Sequence, residues 1–120
     1  MDRQVLFHSE FLPEFQGLPA EIQDELLARV SVLRQFGPSL GRPNVDTLQG
    51  SEFNNMKELR FQLDGIWRFA FAFDTERNAV ILCGGDKEDK KSKNFYSRLI
   101  RTADRRFAAH VESLRKVAKE

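Results

Sequence analysis

Residues 57–74 read KELRFQLDGIWRFAFAFD, and their alternation decides the fold. Apolar side chains stand at Leu59, Phe61 and Leu63 and again at Trp67, Phe69, Phe71 and Phe73, the period of two expected of extended chain with one buried face. Asp64-Gly65 interrupts the run with a dipeptide suited to a tight reversal, so 57–64 and 66–74 read as the two strands of a hairpin. A two-residue loop sets Phe61 against Arg68 and Phe69 against Arg60, mixing charged and apolar groups on each face. A three-residue Asp64-Gly65-Ile66 loop pairs like with like. The expected register therefore places Leu63 opposite Trp67, Phe61 opposite Phe69 and Leu59 opposite Phe71. On the other face stand Glu58, Arg60, Gln62, Arg68, Ala70 and Ala72, with Arg60 opposite Ala70, Gln62 opposite Arg68, and the two arginines as diagonal neighbours.

Upstream, Val5-Leu-Phe7 is a short candidate strand, and Ser9 is a candidate N-cap for a brief helical turn through Phe15. Pro19 opens a stronger helix with Ile22, Leu26, Val30 and Leu33 along one face, which Gly37-Pro38 stops. Residues 39–55 form a connector rich in Gly, Pro and Asn, with one short strand at 45–48. Downstream, Thr75–Asn78 makes a turn, and Ala79-Val-Ile-Leu-Cys83 is apolar on both sides, as in a central strand. After Gly84-Gly85 and a lysine-rich connector, Phe95, Leu99, Ala103, Phe107, Val111 and Leu114 recur at helical spacing in a long amphipathic helix. The order predicts an α+β two-layer domain over residues 1–120, with an N-terminal strand and helices, an antiparallel sheet of about four strands and a C-terminal helix.

At 120 residues with 41% hydrophobic content and 11 Phe, the chain can build one core, and no stretch approaches the roughly 18 apolar residues of a membrane span. The net charge of +1 conceals a split: residues 1–56 hold 4 Lys/Arg against 8 Asp/Glu, and residues 57–120 hold 15 against 10. From Lys87 to Arg106 there are 8 basic and 3 acidic residues, a balance suited to a polyanion partner and equally to a solvated helix face. Cys83 is the single cysteine, so neither a disulfide framework nor a cysteine metal site is expected, and its apolar neighbours read it as core. His8 and His110 have no adjacent ligands at metal spacing. Nor is there a nucleotide-binding glycine motif. The N-terminal residues lack a signal-peptide pattern, which sets a cytoplasmic location as the expectation.

The candidate chemistry lies on the arginine face. Arginine binds phosphate oxygens bidentately and stays charged at any working pH, and Ala70 and Ala72 keep its surroundings shallow. The plainer reading is that Glu58 and Asp64 neutralise both arginines on a wet sheet face. A second cluster, Lys87, Lys90, Lys91 and Lys93 followed by Tyr96, leaves the end of the central strand where it can approach the same face.

Five features then stand together: Gly37-Pro-Ser-Leu-Gly-Arg-Pro43, Val45-Asp-Thr-Leu-Gln-Gly50, Leu59-Arg60-Phe61, Trp67-Arg68-Phe-Ala-Phe-Ala-Phe73, and Val80–Gly85 leading into the lysine-rich loop. Across most of its length the chain thereby resembles the RelE/HigB superfamily of bacterial toxin-antitoxin toxins, especially the phage-derived HigB-like branch. The resemblance implies a small α/β fold whose exposed sheet face cleaves messenger RNA on the ribosome, without metal or other cofactor. It also implies neutralisation by a cognate antitoxin, typically a helix-turn-helix protein. Carried over by position, Arg60, Arg68, Lys87, Lys90 and Tyr96 are the implied catalytic set. Lys57, Lys91 and Lys93, with Arg98 of the C-terminal helix, would meet RNA. Such cleavage needs a base for the ribose 2′-hydroxyl, and the choice lies between a lysine of depressed pKa and Glu58. Two other readings fit the same residues: a non-catalytic member that keeps only antitoxin binding, and a ParE-like poison of DNA gyrase.

Overall fold

The computed structural model describes residues 3–89 and 94–119. Among them the chain runs through β1 (Val5–Phe7), α1 (Phe11–Gln16), α2 (Ala20–Phe36), a 3-10 turn (Gly37–Ser39), β2 (Val45–Thr47), β3 (Lys57–Gln62), β4 (Ile66–Phe73), β5 (Ala79–Asp86) and α3 (Phe95–Lys119). The strands form one sheet in the order β1-β5-β4-β3-β2. The sheet thus has five strands among the described residues rather than about four, and it is mixed, since β1 pairs with β5 in parallel. The strand beyond the expected antiparallel set is β1, which joins one sheet edge over three residues, as β2 does the other.

Local signals explain most of the boundaries. The backbone N–H groups of Phe11 and Leu12 are taken by the His8 carbonyl, so α1 starts from a backbone turn with Glu10 at the N-cap, where Ser9 was expected. Pro19 sits at the N-cap of α2 in an extended conformation, and Ile22, Leu26, Val30 and Leu33 are buried along one face of that helix. Gly37 ends it at φ 59°, a conformation that side chains disfavour. Arg3 also fills the space there, because a β-carbon on Gly37 would lie 2.2 Å from its guanidinium carbon.

The hairpin loop has three residues, but they are Leu63-Asp64-Gly65, one position earlier than expected. Gln62 pairs with Ile66, Phe61 with Trp67, Leu59 with Phe69, and Arg60 with Arg68. Asp64 and Gly65 take positive φ and close the turn early. Ile66 is then drawn into β4, its N–H donating to Asp86 at 3.0 Å and its carbonyl accepting from Lys87 N–H at 2.8 Å. The two faces survive this slip because it moves the pairing by an even number of residues.

One sheet face presents Leu59, Phe61, Trp67, Phe69, Phe71 and Ile81 to Phe11 and Phe15 of α1 and Ile22, Leu26, Val30 and Leu33 of α2. Each fully buried side chain of this size is worth roughly 1.5–3 kcal/mol relative to exposure. Gly84 belongs here as well, since a β-carbon would fall 2.1 Å from the Phe69 ring. The opposite face is not open along its length. Leu99, Ala103 and Phe107 of α3 pack on Ala70, Ala72, Val80 and Leu82, so helices cover both sides of the sheet instead of forming a single second layer. A bulge between Ala70 and Phe71 accommodates this: Ala70 pairs with Cys83 and Phe71 with Ile81, leaving Leu82 without a partner. Arg106 of α3 donates to the Leu82 carbonyl at 2.7 Å and to Glu14 of α1 at 2.6 Å, joining the helix layers across the sheet.

Candidate nucleic-acid interface

Where α3 begins, the second face is left partly uncovered, and the hairpin arginines lie there. Arg60 and Arg68 pair directly across β3 and β4, closer than the expected diagonal. Like charges so placed repel. They are drawn apart by different carboxylates. Arg68, on a side chain only 7% exposed, lies with Nε 3.6 Å from Glu58 Oε1, and its Nη1 donates to the Trp67 carbonyl at 2.9 Å. Arg60 turns to the edge strand, with Nη1 3.7 Å from Asp46 Oδ2. Asp46 and Glu58 are themselves partners across β2 and β3, so one acidic pair serves both arginines. Asp64, the expected neutraliser, sits in the hairpin turn instead, and Asp46 has its place.

Tyr96, in the first turn of α3, completes the buried side. Its hydroxyl donates to Glu58 Oε1 at 2.8 Å and accepts from Arg68 Nε at 3.2 Å. Burial first, and then the bond to Glu58, raise the Tyr96 pKa above its ordinary value. Lys87 lies over the Tyr96 ring, with Nζ 5.5 Å from its centroid. On the other side of Arg60 opens a cleft of about 520 Å³, whose walls include Arg29, Arg42, Asn44, Arg60, Gln62 and Arg68. Arg29 donates to Glu25 at 2.7 Å and to the Asn44 side chain at 2.8 Å. Arg42 donates to Asp46 Oδ2 at 2.6 Å. That bond, followed by the Thr47 N–H, holds the Asp46 carboxyl below its ordinary range.

The fold therefore gathers Arg60, Arg68, Lys87 and Tyr96 with Glu58. Lys57 is not among them: it shares the alternation of Leu59 and Phe61 and belongs to the α2 side of the sheet. Arg98 lines a separate cavity with Glu14, Cys83, Gly84 and Phe95. Lys90, Lys91 and Lys93 lie outside the described residues. Arg29, Arg42 and Asp46 were not singled out from the sequence. Their only signal was the arginine of Gly41-Arg-Pro43 ahead of a short strand, in a connector whose path the local pattern leaves unspecified. His110 is engaged elsewhere, with Nε2 2.9 Å from the buried Asp74. Among the described residues, no group of three or more His, Cys, Asp or Glu could hold a metal ion, and no helix is long and apolar enough to cross a membrane.

Chemically, the arrangement joins two arginines, one lysine, and a tyrosine hydrogen-bonded to a nearly buried carboxylate. The arginines suit a phosphate, and the tyrosine and carboxylate form a short path for a proton.

The family described as phage derived protein Gp49-like (DUF891) matches residues 13–108. Two proteins of Mycobacterium tuberculosis (strain ATCC 25618 / H37Rv) that carry the toxin names HigB2 and HigB3 are similar to this chain. The first is 41% identical over 97 residues, covering 79% of this chain and 48% of that protein. The second is 41% identical over 92 residues, covering 77% of this chain and 79% of that protein. The chain thus spans about half the length of the first of these relatives. Among solved structures, a free-state double-arginine mutant of the E. coli toxin RelE superposes with a TM-score of 0.60 at 16% identity, over 84% of this chain and 97% of that one. A chain of the toxin-antitoxin complex RelBE2 from Mycobacterium tuberculosis superposes with a TM-score of 0.55 at 17% identity, over 72% of this chain and 99% of its own. At such identities the likeness is one of fold.

Proposed function

The chain belongs to the phage-derived Gp49-like family, and from that premise we propose that it is the toxin of a type II toxin-antitoxin system, an endoribonuclease that cleaves messenger RNA on the ribosome. The toxin names of its relatives support the first part. The antitoxin complex among the solved structures of this fold supports a neutralising partner. The observation that carries the nuclease reading is the Arg68–Tyr96–Glu58 chain of contacts beside Arg60.

In this reading Arg60 and Arg68 hold the two non-bridging oxygens of the scissile phosphate and stabilise the charge that grows on them. The ribose 2′-oxygen attacks phosphorus as its proton passes to the Tyr96 oxygen, and the Tyr96 proton moves to Glu58. The raised pKa of Tyr96 fits a relay in which the phenol never stands as a free phenolate. The bond from phosphorus to the 5′-oxygen breaks, and Lys87 supplies that oxygen with a proton. The products are a 2′,3′-cyclic phosphate and a 5′-hydroxyl. The ribosome contributes by aligning the 2′-oxygen, phosphorus and leaving oxygen, which compensates for a modest acid-base set.

Induced expression should arrest growth and cut ribosome-bound messages, and Arg68→Lys should abolish the cutting while the chain still folds, because an ammonium cannot reproduce the planar fork. DNA damage with intact messages would move the chain to gyrase poisoning. Growth arrest that survives in Arg68→Lys would remove the arginine site from the activity.

A further inference from the structure

Asp46 bridges two of the arginines that line the cleft, as a phosphate oxygen would. Its Oδ2 lies 2.6 Å from Arg42 Nη2 and 3.7 Å from Arg60 Nη1, bridging two arginines from different parts of the chain. The bridge is also unequal to its task. One carboxylate faces two guanidinium groups, and Arg60 Nε is buried with no hydrogen-bond acceptor among the described residues. A buried guanidinium donor left unpaired is unfavourable and gains by meeting an acceptor. Arg42 is held from outside, on a side chain 71% exposed, and exposed ion pairs of this kind are weak enough to exchange partners readily. Arg29 and Asn44 are fixed to each other on the cleft wall, and the Asn44 carbonyl accepts the Arg60 N–H at 2.8 Å, so the wall is tied to the strand that carries Arg60.

We propose that Asp46 is a built-in phosphate surrogate and that the cleft between Arg42 and Arg60 is a second phosphate subsite, taking the phosphodiester of the nucleotide next to the scissile one. It rests on the RNA reading above. In the unliganded chain the Asp46 carboxylate keeps Arg42 and Arg60 from repelling each other. When a polynucleotide lies across the hairpin, its phosphate displaces the carboxylate, meets both arginines, and offers the buried Arg60 donor an acceptor. The strand therefore runs from Arg68 over Arg60 toward Arg42, along the β4-β3-β2 direction of the sheet. Affinity is held down by the internal competitor, so removing the charge of Asp46 tightens RNA binding.

The test uses the full chain and a fluorescent single-stranded RNA oligomer carrying 2′-O-methyl groups throughout, which binds without being cut, in an anisotropy titration over a series of KCl concentrations. Asp46→Asn keeps an acceptor for the Thr47 N–H and is expected to bind about tenfold more tightly at low salt. Arg42→Ala in the wild-type background is expected to bind more weakly, with the salt dependence of log affinity reduced by about 0.7, the loss of one phosphate contact on a single strand. The gain from Asp46→Asn should shrink in the Arg42→Ala background. If wild type binds the oligomer and Asp46→Asn binds no better, or if its gain persists undiminished without Arg42, the subsite is overturned and the nuclease reading stands. If wild type fails to bind RNA even at low salt, the subsite is overturned, and the nuclease reading is decided separately by cleavage of ribosome-bound message.

Discussion

The Tyr96 hydroxyl donates to Glu58 at 2.8 Å across 38 residues of sequence, joining the first turn of α3 to the start of β3. The bond leaves Glu58 engaged on the same side as Arg68 and only 7% exposed, so in the proposed reaction the carboxylate reaches a substrate through the tyrosine and not directly. In the nuclease reading proposed above, this geometry favours Glu58 over a lysine as the final proton acceptor.

Tyr96→Phe should therefore remove the relay and keep the ring packed against Phe95 and Lys87. Loss of a positioned acid-base group costs about 10²- to 10⁴-fold in rate. Single-turnover cleavage of ribosome-bound message should fall in that range, with RNA affinity unchanged. A loss smaller than about tenfold would take Tyr96 out of the proton path.

Arg68 and Glu58 should also be coupled in stability, since their side chains are 7% and 9% exposed. Arg68→Met strands a buried carboxylate, for which a loss of about 3–5 kcal/mol is typical. Glu58→Gln added to that variant removes the stranded charge, so the double variant should be more stable than Arg68→Met alone. Urea unfolding of the four proteins measures the coupling. Single effects that add to within about 0.5 kcal/mol would mean that the pair does not interact energetically.

Much of this site was legible because alternation is a local property. The period of two placed Arg60 and Arg68 on one face in every register that keeps the apolar residues together, and the helical periods of α2 and α3 fixed which side chains they bury. Register was less legible, since a slip by an even number of residues keeps every side chain on its face; only the positive φ of Asp64 and Gly65 and the capture of Ile66 by Asp86 decide it. Ala70 and Ala72 were read as the floor of a docking surface, but their small size serves to admit Leu99 and Ala103. A small residue leaves room without saying what fills it. The parallel pairing of β1 with β5 and the approach of Arg42 and Asp46 to Arg60 depend on chain paths through connectors, where no periodicity constrains the course.

Cys83 gives the fold a measurable alkaline limit. Burial beneath α3 pushes its thiol from 9.0 up to about 12. Between those values the folded chain holds a proton that the unfolded chain has released, so folding is favoured fully below about pH 9 and progressively less up to about pH 12. Within that window the slope is about 1.4 kcal/mol per pH unit for one group. Wild type and Cys83→Ala should therefore show unfolding free energies that converge as pH is raised from 8 to 10.5, with wild type losing roughly 2 kcal/mol more than the variant. Iodoacetamide at pH 8 should modify wild-type Cys83 only at the rate of unfolding, because the buried thiol is both protonated and covered by Leu99. Parallel pH profiles for the two proteins, or fast alkylation of the native chain, would show that the thiol is not held protonated by this packing.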